Sequence, residues 1–367
     1  MSQSSQTFYS VDKLMALNTT YAISMGERSR GKTYSALCYG IKGVVSSNYK
    51  NKFAIIRRWD VDFQGKRGKT LFDALVANNE ISKLTNNKWD SVYYYGGRWW
   101  FEKHSEDGKK ERSEEPFAYA FALNTFEHDK STSYPDIKFI CFDEFISRFQ
   151  YLGDEFNVFL NVISTIVRYR DDVRVLMLGN TVSMENPYFH EMGIYYKAKS
   201  MTPGQTLKFR HGDSGMTIAL EFTDSNESGK PSDIYFDFKT SGAEMITSGA
   251  WEIGKYPRLP FWCKILPKDI VFKYFVLVYD EILQCEVIHK DNIFFTYVHK
   301  KTTPLQDENN DLIFSFEQDP RFNWRCDILR PYDSVGKKIK YFFTSNSVFY
   351  QSNEVGELMN TYLQHFM

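Results

Sequence analysis

Three short, predominantly apolar runs mark the first half of the chain, and each leads into glycine or polar residues. They cover residues 21–25, 137–142 and 173–178. Strands that are buried on both faces of a parallel sheet have this continuous pattern, whereas half-exposed strands alternate. Because ligands of such sheets bind beyond the carboxyl ends of the strands, we expect the polar residues after the three runs to form a site.

The remaining pattern of the first half completes an α/β domain with a mostly parallel sheet. The predicted elements are strands at 52–58 and 117–123, helices at 32–41, 71–84 and 154–167, and a hairpin of 89–95 with 98–102. The hairpin is indicated by Gly96-Gly97, a pair suited to a two-residue turn. We expect Asp154 or an adjacent residue to cap the third helix. The charged run 104–115 predicts a solvated loop.

Beyond residue 195 the pattern changes, and we expect a second folded part. Alternating pieces at 206–210 and 216–222 precede a polar, Ser/Gly-rich stretch that is typical of a linker. The predicted strands that follow lie at 272–279, 285–289 and 294–298, and a helix is predicted over 354–365. The predicted organisation is a first domain at 1–223, a linker with small helices at 224–260, and a C-terminal α+β domain at 261–367.

Composition narrows the class of protein. The 367 residues are 43% hydrophobic, which suffices for globular cores, and the net charge is −1. Any nucleic-acid contact must therefore use localised basic positions. The five cysteines are scattered, with no CxxC pair, and we expect buried thiols in a reducing compartment. No apolar run has the length of a membrane span and the amino terminus is polar, so we expect an intracellular, soluble protein.

The first apolar run leads into a phosphate-binding loop. Residues 26–33 read Gly-Glu-Arg-Ser-Arg-Gly-Lys-Thr, which matches G-x-x-x-x-G-K-[ST] between a strand and a helix. In such a loop Lys32 reaches the β- and γ-phosphates and the Thr33 hydroxyl binds Mg²⁺. The chain is therefore predicted to hydrolyse a nucleoside triphosphate. The residues predicted to contact the nucleotide are Gly26, Arg28, Ser29, Arg30, Gly31, Lys32 and Thr33 of the loop, together with Asn180.

The second and third apolar runs supply the other half of the predicted site. Asp143 is predicted to bind Mg²⁺ directly or through water, and Glu144 to orient and deprotonate the attacking water. Asn180, after the third run, is placed to sense the γ-phosphate or the water, and is equally of a type that forms an Asx turn before Pro187.

Three arginines follow the predicted helix 154–167, at Arg168, Arg170 and Arg174. Phosphoryl transfer uses an arginine from a neighbouring subunit in some enzymes. Spacing alone favours a solvated face for these three. Arg28, inside the loop, is placed to act near the nucleotide, while Arg30 is equally compatible with solvent.

Several segments, in order over residues 15–195, resemble the genome-packaging ATPases of phi-29-like tailed phages. The segments are the loop 26–33 with Arg28 inside it, Arg57-Arg58, Lys130-Ser131 before Tyr134-Pro135, residues 142–146, Leu160-Asn161 leading to Arg168-x-Arg170, and Gly179-Asn180 leading to residues 186–189. Downstream the resemblance is much fainter. One departure is Trp59-Asp60, where relatives have a basic residue, so a trans-acting lysine is not expected there.

The resemblance implies an additional-strand, conserved-glutamate (ASCE) P-loop ATPase that uses ATP and Mg²⁺ in a homopentameric ring. It implies double-stranded DNA and the capsid portal as partners, a motor RNA as a further possible partner, and the host cytoplasm, with transient docking on the procapsid. It makes Arg168 a trans-acting finger, with Glu144 and Lys32 as catalytic partners, and Arg28 a switch residue. It also implies that the C-terminal domain resembles a degenerate RNase H-like nuclease.

The leading hypothesis is thus a DNA-translocating packaging ATPase. The first alternative is a terminase-type ATPase with an active C-terminal nuclease, although only one acidic position of Asp280-Glu281 suggests itself there. The second is a binding or scaffolding protein with a vestigial nucleotide site. Candidate DNA or interface residues are Lys130, Arg148 and Arg170, which are equally compatible with a solvated surface.

Overall fold

The computed structural model describes residues 9–28, 31–105, 107–129, 132–147, 151–212, 215–224 and 255–366. They form two compact units. Unit 1 contains the described residues of Met1–Ser147 and Asp154–Glu252, and unit 2 those of Arg148–Gly153 and Ile253–Met367. Most of the predicted linker 224–260 lies outside the described residues, so the three-part division of the chain stays a prediction.

Unit 1 is built on a ten-stranded sheet whose inner strands are parallel, as predicted. Its strands are β1 (Tyr21–Gly26), β2 (Lys52–Arg57), β3 (Ser91–Tyr95), β4 (Arg98–His104), β5 (Lys110–Arg112), β6 (Ala118–Ala122), β7 (Ile137–Asp143), β8 (Arg174–Asn180), β9 (Thr206–His211) and β10 (Met216–Phe222). The order is β3-β4-β6-β2-β7-β8-β1-β10-β9, with β5 beside β4. Six neighbouring strands pair in parallel, in the order β6, β2, β7, β8, β1 and β10. Strands β9, β3, β4 and β5 are antiparallel additions.

The register of three adjacent parallel strands decides what meets at the carboxyl edge. Strand β8 lies between β1 and β7. Gly26 at the end of β1 lies opposite Asn180 at the end of β8, and Asp143 at the end of β7 lies opposite Leu178. The polar residues that follow the three apolar runs therefore emerge at one edge of the sheet, as the sequence predicts.

Helices cover the unit 1 sheet. They are α1 (Asp12–Met15), α2 (Lys32–Ser46), α3 (Lys66–Thr70), α4 (Asp73–Ala77), α5 (Glu80–Leu84), α6 (Glu155–Val167), α7 (Pro187–Glu191) and α8 (Tyr195–Ser200). Helix α2 runs past the predicted end at 41, because apolar spacing continues to Val44 and buries it with Leu37 and Ile41. The predicted helix 71–84 is two short helices, since Asn79 takes a left-handed conformation (φ 56°) between them.

The antiparallel edge of unit 1 contains one confirmed prediction and one error. Gly96 (φ 53°) and Gly97 (φ 74°) both lie in the left-handed region, as a type I′ hairpin turn between β3 and β4 requires. The charged run 104–115 was predicted to be a loop only, which is wrong. It contains β5, in which Arg112 lies opposite Glu102 of β4 and donates a 2.9 Å hydrogen bond to it.

Unit 2 is a mixed α+β domain, as predicted for the C-terminal region. It contains the strands β11 (Ile270–Val278), β12 (Glu281–Lys290), β13 (Ile293–Lys301), β14 (Ile313–Phe314), β15 (Trp324–Arg325) and β16 (Val348–Tyr350), and the helices α9 (Ser334–Thr344) and α10 (Asn353–His365). The order is β15-β14-β11-β12-β13-β16, with β11, β12 and β13 antiparallel and the three short strands parallel to their neighbours. Helix α9 was not predicted from the sequence. It buries Ile339 and Phe342 against this sheet's core.

Two further expectations concern the whole chain. In the part of the chain that the structure describes, no helix combines the length and apolarity needed to cross a bilayer. All five cysteines are free thiols. Cys141 and Cys285 are buried, as expected, whereas Cys38, Cys263 and Cys326 are partly exposed.

Packing of α2 on β2 gives a stability prediction with an internal control. A Cβ atom at Gly40 would lie 2.9 Å from the Phe53 ring, which is buried, whereas a Cβ at Gly43 on the exposed side of the same helix meets nothing within 4 Å. Both substitutions to Ala gain helix propensity, roughly 1 kcal/mol. We expect Gly40→Ala to be less stable than Gly43→Ala by about 1–3 kcal/mol, because only the former overpacks the core. Urea unfolding of both variants measures the difference, and equal stabilities would contradict the described contact.

Candidate active site

The loop after β1 is held by its own glycine and lysine. Gly31 takes φ 83°, a left-handed conformation that suits glycine, and it directly precedes α2. Lys32 is 6% exposed, and its Nζ donates hydrogen bonds to the carbonyl oxygens of Gly26 (3.1 Å) and Glu27 (2.5 Å). Arg28 is exposed. The predicted contacts Ser29 and Arg30 lie outside the described residues, so their roles stay predictions.

Thr33 joins the loop to the acidic strand. Its hydroxyl donates a 2.9 Å hydrogen bond to Asp143 Oδ1, across 110 residues of sequence. Thr33 lies in the first turn of α2, and Asp143 is the last residue of β7 and is 2% exposed. The two halves of the predicted site therefore meet in the folded chain.

Arg57, at the end of β2, is a site residue to which the sequence analysis gave no role. Its Nη2 donates to Asp143 Oδ2 at 2.6 Å, so Thr33 and Arg57 each bind one oxygen of the same carboxylate. Burial lowers the pKa of Arg57, but the charge and hydrogen bond of Asp143 outweigh it, and the net pKa is raised. The signal that was available is a basic residue that ends an apolar strand. Because β2 pairs in parallel with β7, this basic residue lies beside the Asp143 carboxylate.

Glu144 leaves the sheet in a strained conformation. Its φ is 60°, in the left-handed region, where a residue with a Cβ loses about 1–2 kcal/mol. The side chain is exposed, while the next two residues, Phe145 and Ile146, return to the core. Glu144 thus presents a carboxylate at the same edge as Asp143.

Asn180 also reaches this edge. It lies opposite Gly26 and is half-buried, and the backbone N–H of the following Thr181 donates to the Gly26 carbonyl at 3.2 Å. Its carbonyl accepts a backbone hydrogen bond from Val182. The side chain that caps the following helix α7 belongs to Asn186, which accepts from Phe189 N at 2.9 Å. An Asx turn by Asn180 is therefore not needed to start that helix.

Arg168 lies at the other end of the sheet from these groups. It follows α6, a helix of 13 residues that is about 20 Å long and begins beside the carboxyl edge with Glu155. Arg168 is exposed, and its Nη2 donates to the Thr132 carbonyl at 3.1 Å. It is therefore too distant to act at the site of its own chain.

Arg170 was a candidate interface residue, and the structure gives it a structural role. Its guanidinium donates to five backbone carbonyls, at the end of α6 and before β7. The acceptors are Tyr134, Pro135, Ile137, Ile166 and Val167. These bonds fix the backbone around Arg170, and its role as a DNA or interface residue stays a prediction. The other two candidates, Lys130 and Arg148, lie outside the described residues.

The site offers few protein ligands for a metal ion. No cluster of three or more His, Cys, Asp or Glu side chains with metal-binding geometry occurs within the described residues of either unit. Asp143 and Thr33 supply one carboxylate and one hydroxyl, adjacent to the loop. This donor set fits Mg²⁺, which in such sites is held by one or two protein oxygens and by substrate phosphates and water.

Comparison with known proteins relates the first half of the chain to phage proteins. A family model described as "Podovirus DNA encapsidation protein (Gp16)" matches residues 2–201. The DNA packaging protein of Bacillus phage phi29 is 28% identical over 187 residues, which are 50% of this chain and 49% of the relative. The chain thus spans about half the length of the curated relatives it matches.

Two solved structures resemble the whole chain. The phi-28 gp11 DNA packaging motor has a TM-score of 0.57 at 20% identity, over 98% of this chain and 97% of the other. The bacteriophage phi-29 viral genome packaging motor assembly has a TM-score of 0.54 at 18% identity, over 98% of this chain and 99% of the other. At these identities the similarity is one of fold.

The pair Arg57–Asp143 gives a prediction about stability. Arg57→Met leaves the Asp143 carboxylate buried without its countercharge, and we expect a loss of roughly 3 kcal/mol in the free energy of unfolding. Adding Asp143→Asn should recover at least half of that loss, because the amide needs no countercharge. Urea unfolding of the two single variants and the double variant measures the coupling.

A matched control for this cycle is Arg112→Met. The Arg112 side chain is 45% exposed where it pairs with Glu102, so we expect a loss below about 1 kcal/mol. Additive effects in the Arg57–Asp143 cycle, or equal losses in Arg57→Met and Arg112→Met, would contradict the described ion pair.

Proposed function

The chain belongs to the Podovirus DNA encapsidation protein (Gp16) family, whose model matches residues 2–201, and from this premise we propose an ATP-hydrolysing motor that moves double-stranded viral DNA into a preformed capsid. The observation that carries the proposal is the hydrogen bond from Thr33 to Asp143. It joins a phosphate-binding loop to an acidic strand end at one edge of a parallel sheet, where such folds bind ligands.

The residues of the loop fit a triphosphate with Mg²⁺. The left-handed turn at Gly31 leaves open space where a Cβ would be, which allows close approach to the backbone. Lys32 would turn its Nζ from its own loop carbonyls to the β- and γ-phosphates, and Thr33 and Asp143 would hold the metal. Bound Mg²⁺ supplies charge neutralisation between the phosphates.

The exposed Glu144 is the general base of the proposal. It follows the metal-holding Asp143 directly, so its carboxylate is placed to accept the proton of an attacking water. Asn180, in register with Gly26, would contact the γ-phosphate or that water. Arg28, exposed in the loop, would sense the nucleotide or the neighbouring subunit.

Strand order supports the ASCE assignment within this proposal. The loop strand β1 and the acidic strand β7 are not neighbours, because β8 is inserted between them. An additional strand at this position, with a glutamate after the metal-binding aspartate, is what the name of the ASCE group describes. Hydrolysis, rather than transfer to another substrate, suits this arrangement.

The assembly belongs to the same proposal. We assign Arg168 to the active site of the next subunit in a ring, with five subunits as the family resemblance implies. Double-stranded DNA would pass through the ring, with contacts to its phosphates because a packaging motor must accept any sequence. The portal of the capsid is the proposed docking partner, a motor RNA is a further one, and the proposed location is the host cytoplasm with transient binding to the procapsid.

Unit 2 fits a binding module better than an active nuclease. Its antiparallel strands β11, β12 and β13, extended by β14 and β15 beside β11, are compatible with a degenerate RNase H-like fold. Of the acidic pair at the start of β12, Glu281 is buried and bonded to Lys300 Nζ at 2.5 Å. No metal-binding cluster of carboxylates occurs among the described residues, so we do not favour the alternative of a terminase with nuclease activity.

The first test of the proposed function is ATP turnover with DNA and Mg²⁺. We expect Glu144→Gln to lower kcat by about 10²–10⁴ with little change in the Kd of ATP, because the water loses its base while the phosphate loop is intact. Lys32→Ala should abolish turnover, and Lys42→Ala, on the exposed face of the same helix, should behave as wild type. Wild-type turnover no higher than that of Lys32→Ala would favour the protein with a vestigial nucleotide site.

The second test concerns Arg168. Arg168→Ala subunits retain Glu144 and Glu144→Gln subunits retain Arg168, so mixing two inactive variants should restore hydrolysis at interfaces where the two complement each other. Random assembly at equal amounts makes about a quarter of the interfaces competent. The control mixes Glu144→Gln with the double variant Arg168→Ala/Glu144→Gln, which contains no intact site. Absence of recovery at every mixing ratio would count against a trans-acting finger.

A further inference from the structure

A buried polar network lies directly behind Glu144 and has no part in the proposed chemistry. Arg58 donates from Nε to Glu155 Oε2 at 2.7 Å and from Nη2 to Glu155 Oε1 at 2.9 Å. The hydroxyl of Tyr188 donates to the same Oε1 at 2.6 Å. Arg58 is 6% exposed, Glu155 2% and Tyr188 0%. Arg58 and Glu155 therefore form a bidentate ion pair inside the unit 1 core.

The Arg58 guanidinium also holds the backbone at Glu144. Its Nη2 donates to the Phe145 carbonyl at 2.7 Å, and its Nη1 is 3.4 Å from the Glu144 carbonyl. From the other side, the Phe145 N–H donates to the Leu178 carbonyl of β8 at 3.2 Å. A glutamate in the left-handed region persists only where its surroundings hold it there. These hydrogen bonds hold the backbone of Glu144 in that conformation.

Stability alone does not account for the network. Its surroundings are apolar, because the rings of Phe142, Phe145 and Phe159 pack against Tyr188. In such a place, well-packed apolar side chains are often as stable as a buried ion pair, or more stable. What they cannot do is donate hydrogen bonds to two consecutive carbonyls of a strained turn.

We propose that Arg58, held by Glu155 and Tyr188, is a positioning residue that fixes the Glu144–Phe145 backbone and thereby aims the Glu144 carboxylate at the attacking water. This inference rests on the proposed ATPase function for its kinetic consequence. Its structural part, the fixation of the backbone, is independent of any activity. A carboxylate on an unfixed turn would still be present, but it would be in the productive orientation for a small fraction of the time.

The test uses the full chain with Arg58→Lys and Tyr188→Phe. Lysine keeps a positive charge beside Glu155 but lacks the planar fork, and phenylalanine keeps the ring but removes one donor to Glu155. We expect kcat to fall ten- to a hundredfold in Arg58→Lys and three- to tenfold in Tyr188→Phe, with the Kd of ATP·Mg²⁺ within threefold of wild type. Hydrogen exchange of the Phe145 amide should become at least tenfold faster in Arg58→Lys, whether or not nucleotide is present.

Arg112→Lys is the matched control, because Arg112 also binds a glutamate, Glu102, but does so on β5 at the far edge of the sheet. Its kcat and its exchange at Phe145 should equal those of wild type. If Arg58→Lys lacks a cooperative unfolding transition, Tyr188→Phe alone decides the test.

The outcomes separate the two proposals. An inactive wild type overturns the proposed function, while exchange at Phe145 still tests the fixation. An active wild type with kcat within twofold in both variants overturns the inference. The inference is also overturned if the affinity for ATP·Mg²⁺ falls by the same factor as kcat, or if hydrogen exchange of the Phe145 amide is unchanged.

Discussion

The hydrogen bond between Thr33 and Asp143 is the constraint on which the site depends, because it requires two distant segments to end at the same place. Thr33 is placed by the left-handed turn at Gly31 and by the packing of α2. Asp143 is placed by the pairing of β7 with β2 and β8 on its two sides. A shift of one residue in either pairing would turn the Asp143 side chain to the opposite face of the sheet, and the contact would be lost.

A second constraint is electrostatic. Asp143 is a nearly buried carboxylate, and a buried charge is costly unless a countercharge and hydrogen bonds compensate it. Arg57 supplies the countercharge and Thr33 a hydrogen bond. Lys32 adds a further positive charge nearby, and its Nζ donates hydrogen bonds to the carbonyl oxygens of Gly26 and Glu27. Positive charges therefore surround the loop on two sides, which suits a polyanion such as a triphosphate.

The sequence predicted what depends on local pattern and missed what depends on strand order. Predominantly apolar runs identify β1, β7 and β8, and the motif at 26–33 identifies the loop, because both are properties of single segments. The roles of Arg57 and Arg58 were missed, since they follow from β2 lying beside β7, and nothing in one sequence specifies that neighbour. The hydrogen bonds of Arg170 could not be predicted for a similar reason: its carbonyl acceptors come from both α6 and the segment before β7. The break in the helix predicted at 71–84 is a local feature that an asparagine pair could have indicated.

Helix α6 relates the candidate base to the candidate finger. Its first residue, Glu155, binds Arg58 behind Glu144, and the residue after its last turn is Arg168. An α-helix of this length is stiff, so its two ends do not move independently. Under the proposed function, one helix would therefore help to orient the Glu144 carboxylate of its own active site. The same helix would carry the arginine that acts in the active site of the next subunit. The separation of about 20 Å between its ends keeps Arg168 away from its own Glu144, which is compatible with action at a neighbouring subunit.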